Sequence, residues 1–113
     1  MTKEEIESEK LKQLKRKLVS NAKAILTNHI GLPLGVHKMT KILTWIEYIR
    51  PLEIDVQVFK EFDDNMAWLP IGAERLEWNV ISLKVEDQKL NKLADIYREG
   101  IIDKCWDIVN NYG

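Results

Sequence analysis

Apolar residues return every three or four positions along most of the chain, and the returns fall into separate runs. Leu11, Leu14, Leu18, Ala22 and Ile25 form one run; Val36, Met39, Ile42, Leu43, Ile46 and Ile49 form a second. Each is the buried stripe of an amphipathic helix, and each needs a partner stripe. Thr2 followed by Glu5 reads as a capping box, and Glu4, Glu5, Glu7 and Glu9 suit the positive end of a helix dipole. The first helix is therefore predicted to start almost at the N-terminus and run to about Asn28, with fraying before Lys10, where Ile6 alone can be buried.

Between the runs lies HIGLPLG, where Gly31 and Gly35 give freely chosen backbone angles and Pro33 pushes Leu32 out of the helical region. A corner is predicted there, with helix two running from about Val36 to Arg50, before Pro51. So short a connection sets two helices side by side and antiparallel, and Ile30, Leu32 and Leu34 are expected to plug the end of the bundle.

In PLEIDVQVFKEF, Ile54, Val56 and Val58 alternate for a few positions, but Leu52, Val56, Phe59 and Phe62 also sit at helical spacing. A lone strand would have no partner, so a helix opening on Pro51 is predicted. Asp63, Asp64 and Asn65 mark a break, and Met66 to Gly72 should form a turn packed by Trp68 and Leu69. A short helix is expected from Ala73 to about Trp78 or Ile81. The last helix, from about Val85 to Asn110, would bury Leu90, Leu93, Tyr97, Ile101, Cys105 and Ile108, with Ile96, Ile102, Trp106 and Val109 widening that face. Gly100 costs it about 1 kcal/mol relative to Ala, which a close helix crossing would explain. The expected fold is all-α: a compact helical bundle of four main helices plus one or two short ones, in a single domain over residues 1–113.

Composition agrees with that pattern. Of 113 residues, 45% are hydrophobic and 31% charged, with five Gly and three Pro, which favours a helix-rich globular chain over a disordered one. The net charge of −1 gives no molecule-wide footprint for nucleic acid or an anionic membrane. The single Cys105 makes no internal disulfide, and the opening MTKEEIESEK has no secretion-signal core, so a cytoplasmic setting is expected. No apolar run approaches the length of a membrane span.

No catalytic or metal motif assembles. His29 and His37 flank the corner without further ligands nearby in sequence, and helix-end or polar-surface roles suit them better than a metal site. Asp63, Asn65 and Glu74 match the first, third and twelfth positions of a calcium loop, but Ala67 and Trp68 stand where a ligand and the turn glycine belong. Helix capping is the expected role of that acidic cluster. Cys105 lies on a buried stripe, where a thiol is inert, and no serine has a nucleophile-elbow setting. Lys10, Lys12, Lys15, Arg16 and Lys17 form a basic block of about two turns, which reads as a solvated helix face and not as a nucleic-acid site. No cofactor, metal, nucleic acid or membrane is implied, and no enzyme activity is expected.

Two features point to a protein partner. Asp95, Glu99, Asp103 and Asp107 repeat at four-residue intervals, and like charges so placed repel by about 0.2–0.5 kcal/mol per pair. Lys92, Arg98 and Lys104 relieve part of this, and the ribbon would suit a basic partner. Trp45 and Tyr48, off the main stripe of helix two, and Trp68, in a loop, are of the residue types that anchor interfaces.

The run AKAILTNHIGLPLGVHKMTKIL, continued by VFKEFDDNMAWLP, resembles an uncharacterised bacterial domain-of-unknown-function family of short helical proteins, over about Leu18 to Pro70. Members of that family carry an N-terminal membrane segment, and none is expected here. In type, the whole chain resembles the small immunity proteins of contact-dependent growth-inhibition systems. That resemblance implies occlusion: the protein would cover the active site of a bacterial toxin domain, such as a nuclease. The acidic ribbon would stand in for phosphates, with Trp45, Tyr48 and Trp68 as anchors. The alternative is a self-associating helical module whose aromatic surface closes a homodimer.

Overall fold

Thr2 caps the first helix, its side-chain oxygen accepting from the Glu5 N–H at 3.2 Å. In the computed structural model, which describes residues 2–113, helix α1 spans Lys3–Leu26. It is helical from its first turn, including the residues before Lys10. Its stop is not the Gly/Pro corner but Asn28, in the left-handed region at φ 59°. Asn tolerates that conformation, and it lets the Asn28 N–H reach the Ile25 carbonyl at 3.2 Å and the His29 N–H reach the Ala24 carbonyl at 3.0 Å. These are the two bonds of a Schellman motif, and they satisfy carbonyls that the helix end would otherwise leave unpaired.

Helix α2 spans Leu32–Ile49, four residues earlier than the sequence pattern suggested. Gly31 is its N-cap and Pro33 falls in the first turn, where a missing N–H costs nothing. Pro33 therefore opens the helix instead of holding the corner. Leu32 is buried and Ile30 packs against the core, but Leu34 is exposed and plugs nothing. Gly35 is helical, and a Cβ there would stand 2.6 Å from Ile25 Cγ1. It is needed for close approach, not for free backbone angles. Its carbonyl accepts from the Asn21 carboxamide at 2.9 Å, a buried bond that ties the two helices together.

The 51–56 segment is neither strand nor helix. Asp55 Oδ1 accepts from the Gln57 N–H at 2.9 Å, and helix α3 starts there, spanning Gln57–Asn65 with Phe59 and Phe62 buried. Met66 and Pro70 are buried in the following turn, whereas Trp68 is exposed, contrary to the packing role expected of it. A 3-10 turn follows at Ala73–Glu77. Helix α4 spans Val80–Tyr112, beginning earlier than expected because Asn79 caps it, accepting from the Ser82 N–H at 2.8 Å.

Among the described residues the architecture is thus all-α, four helices and one short 3-10 turn around a single core. The 33 residues of α4 reach roughly 50 Å at ~1.5 Å per residue, which sets the 54 Å long axis of the molecule. Its first buried residue is Leu90, so the opening turns run past the core. Further along, a Cβ at Gly100 would lie 3.3 Å from Val58 Cγ2, the close crossing with α3 that its position suggested. No helix among the described residues is long and apolar enough to cross a membrane.

Candidate functional site

Helix α4 turns its buried stripe, Leu90, Ala94, Ile101, Cys105 and Ile108, toward α1 and α3, and leaves the opposite face to solvent. Asp95, Glu99, Asp103 and Asp107 all lie on that exposed face. Asp95 has Arg98 at 3.8 Å and Asp107 has Lys104 at 3.4 Å, both three residues along the same helix. Such exposed pairs are worth little, and Glu99 and Asp103, between them, have no ion-pair partner among the described residues.

Ile96 and Trp106 do not widen the buried face as their spacing suggested. Ile96 is 75% exposed and Trp106 53%. At about 100° and ~1.5 Å per residue both project on the acids' face, but about 15 Å apart and on opposite sides of the slanted ribbon, so the face carries a carboxylate band with an apolar residue on each flank. Each is five residues from Ile101, about 140° round the helix, so their own spacing to the buried stripe already places them off it, and counting them toward a widened buried face misreads the pattern.

Trp45 and Tyr48 are also exposed, on α2. Because α2 and α4 point their stripes into the same core, these aromatics leave from the side of the bundle away from the acids. They line a groove of about 350 Å³ between α1 and α2, with Lys10, Leu14, Lys17 and Ile49. Trp68, 93% exposed, lies on a third region. It starts a stretch in which Leu76, Trp78, Val80, Ile81 and Val85 are exposed as well. The sequence-selected residues therefore fall on separate surfaces and do not converge on one site.

The two histidines also part. His29 Nδ1 is 2.6 Å from the Thr27 hydroxyl at the end of α1, a helix-end role. His37 Nδ1 is 2.9 Å from Asp63 Oδ1, joining α2 to α3. The Thr40 hydroxyl lies 3.1 Å from Asp63 Oδ2 and 2.8 Å from the His37 carbonyl, and its one hydrogen can be donated to either. Asp63 is thus an inter-helix acceptor and not a helix cap. Nearby, Lys60 Nζ sits 2.9 Å from both Glu47 oxygens, a second tie between the same helices. Sequence reasoning missed the His37–Asp63 pair, since the partners lie 26 residues apart and no local spacing links them.

These residues line a cleft of about 380 Å³. A carboxylate-held imidazole is the base half of a nucleophilic pair, but the cysteine that would complete one is elsewhere. Cys105 is fully buried in the core, and desolvation pushes its thiol up to about 12, where the reactive thiolate does not form at neutral pH. Among the described residues, no group of three or more His, Cys, Asp or Glu side chains is placed to hold a metal ion.

Arg75 and Asp87 fix the segment that follows α3. The guanidinium makes two bonds to the carboxylate, at 2.7 and 2.9 Å, and a third to the Pro70 carbonyl at 3.0 Å. The Arg75 bond holds the Asp87 carboxyl below its ordinary range, against the opposing effect of desolvation. Glu74 is also held low, by backbone N–H groups at its own position, Ile71 and Gly72. No protein-family model matches the chain, and neither a curated protein nor a solved structure matches it; what stands is a small, compact, all-helical domain.

Proposed function

We propose that this chain is a non-enzymatic protein-binding module of the immunity type, which occludes the active site of a basic toxin domain such as a nuclease. The observation that carries the reading is the exposed face of α4, where Ile96 and Trp106 flank Asp95, Glu99, Asp103 and Asp107. The acid ribbon runs between the two apolar residues: burial of Ile96 and Trp106 on its flanks would supply affinity, and the acids between them would supply steering and choice of partner. Glu99 and Asp103 are the acids of the ribbon with no ion-pair partner to displace among the described residues. The ribbon advances about 18 Å from Asp95 to Asp107, enough to cross a nucleic-acid cleft in place of several phosphates.

The test is purification of the tagged protein with its bound partner at moderate and then high salt. A stoichiometric partner with a basic domain, released as salt rises, is expected, because screening weakens exposed charge pairs. The D95N/E99Q/D103N/D107N variant should lose that partner, and Trp106→Ala should weaken it, with the helical circular dichroism of each unchanged. An interaction that survives both variants rules out the α4 face.

A second reading has its own observation. Leu76, Val80 and Ile81 are all strongly exposed where α4 runs past the core, a natural contact for a second copy of the chain. A homodimer in light scattering that Ile81→Ser dissolves, and that the acid-neutralised variant keeps, would favour the self-associating module.

A further inference from the structure

The α1–α2 side of the molecule carries the opposite chemistry. Helix α1 before Lys17 faces the end of α2, and α1 after Lys17 faces its beginning, so the two helices run antiparallel with a channel between them. Two cavities share Lys17: the 350 Å³ groove beside Trp45 and Tyr48, and one of about 600 Å³ reaching His29, Leu34 and Lys38. Together they follow α1 from Glu7 to Ala24, roughly 25 Å at ~1.5 Å per residue. The floor is aliphatic: Leu14, Ala24, Ile30, Ile42 and Ile49.

Lys10, Lys17 and Lys38 border this channel, and none of them forms an ion pair among the described residues. The larger cavity has no carboxylate in its lining, and Glu7 stands at the far end of the smaller one. Lys60, Lys89 and Lys104 are paired with acids and Lys15 lies 5.2 Å above the Tyr112 ring, whereas Lys3, Lys12, Lys23, Lys41, Lys84 and Lys92 share the unpaired state; what sets Lys10, Lys17 and Lys38 apart is that they border one aliphatic channel. Three unneutralised ammonium groups along an apolar channel, with two exposed aromatics at one end, leave both a charge and a surface unmatched.

We infer that the α1–α2 channel is a docking site for an acidic amphipathic helix of a partner protein. The aliphatic floor takes the apolar face of a third helix, the packing that a groove between antiparallel helices offers. The lysines take carboxylates on that helix's flanks, and Trp45 and Tyr48 close over one end. A nucleic-acid strand fits less well. The channel lining contains no arginine, its floor is aliphatic where base stacking wants aromatic faces, and the net charge of −1 gives a polyanion no long-range attraction. This site is on the other side of the bundle from the α4 face and stands or falls independently of it.

The experiment is fluorescence anisotropy with three labelled probes. One is a helical peptide of about 17 residues, leucine on one face and glutamate on the flanks; the second has lysine for glutamate; the third is single-stranded oligothymidylate. The acidic peptide is expected to bind, more weakly as salt rises, and at least about tenfold more weakly to K10Q/K17Q/K38Q and to Trp45→Ala. Binding should be unchanged in D95N/E99Q/D103N/D107N, which separates failure here from failure of the α4 face. Equal binding of the lysine peptide, oligonucleotide binding that the lysine substitutions abolish, or no binding of the acidic peptide would each overturn the inference. The substituted lysines are exposed and unpaired, so the fold survives their change, with circular dichroism as the check.

Discussion

Two connections in this chain carry glycine and proline, and they turn the corner by different physics. At the α1–α2 corner the backbone is locked from inside: Asn28 supplies the left-handed residue, Asn21 bonds the Gly35 carbonyl, and Ile25 fills the space a side chain at Gly35 would need. Between α3 and α4, Met66 and Pro70 are buried and Leu69 and Ile71 pack against the core, but from Gly72 onward the stretch is held from outside, by Arg75 reaching the Pro70 carbonyl and Asp87. Trp68 and Leu76 are left in solvent. The first connection is fastened to the core at Ile25, Ile30 and Leu32, whereas the second enters it at residues 66–71 and then displays apolar surface from Leu76. Stability should therefore be sensitive at the first and indifferent in the outer half of the second.

Ile25→Ala tests that contrast most severely. Ile25 is fully buried at the corner, and removing its branches should cost about 2–5 kcal/mol in urea unfolding. Leu76→Ala in the second connection should change stability by less than about 0.5 kcal/mol, because the side chain is already in water. A comparable loss at both positions would show that the exposed stretch is packed and would remove the contrast.

Gly35→Ala sharpens it. The added Cβ falls on Ile25 Cγ1 and within 3.0 Å of Cδ1, and overpacking of this kind costs about 1–3 kcal/mol. Gly31→Ala, four residues earlier, meets nothing within 4 Å and should cost less, about 1 kcal/mol from the poorer cap. Because the clash at Gly35 is with the atoms that Ile25→Ala removes, the double variant should be more stable than the sum of the two single losses. A strictly additive result would mean that Gly35 is required for some reason other than Ile25.

Periodicity made the helices legible because burying a stripe is a nearest-neighbour demand, satisfied wherever apolar residues recur at helical spacing. Val36, Met39, Leu43 and Ile46 are all fully buried, as their spacing requires. The same signal does not say where a stripe ends. Ile96 and Trp106 have only Leu93, Ile102 and Val109, at the half-buried edges of the stripe, at three- or four-residue spacing and are exposed, so counting every nearby apolar residue as core hid the apolar part of the α4 face. Capping was legible where its residues are local, as at Thr2, and overlooked at Asn79–Ser82 because the apolar pattern that marks α4 begins later. The His37–Asp63 pair and the unpaired lysines of the α1–α2 channel depend on which helices lie side by side, and spacing along one helix does not carry that information.

The smallest effect concerns the outside lock itself. Asp87 is held below its ordinary value of 3.8 first by its bond to Arg75, so the folded protein favours the carboxylate more than the unfolded chain does. Its contribution is complete above pH 3.8 and is lost as pH falls through the depressed folded value. With the pair exposed to water, the loss is local loosening and not global unfolding. Protease cleavage in the 66–79 stretch should rise as the pH drops below 3.8, assayed with an acid-stable protease, while α1 and α2 stay protected. Asp87→Asn should show the raised cleavage at neutral pH already and lose most of the acid-dependent step. If Asp87→Asn instead leaves cleavage at its low neutral level, the Arg75 bond to Pro70 alone holds the connection, and the second corner is locked by its backbone as the first is.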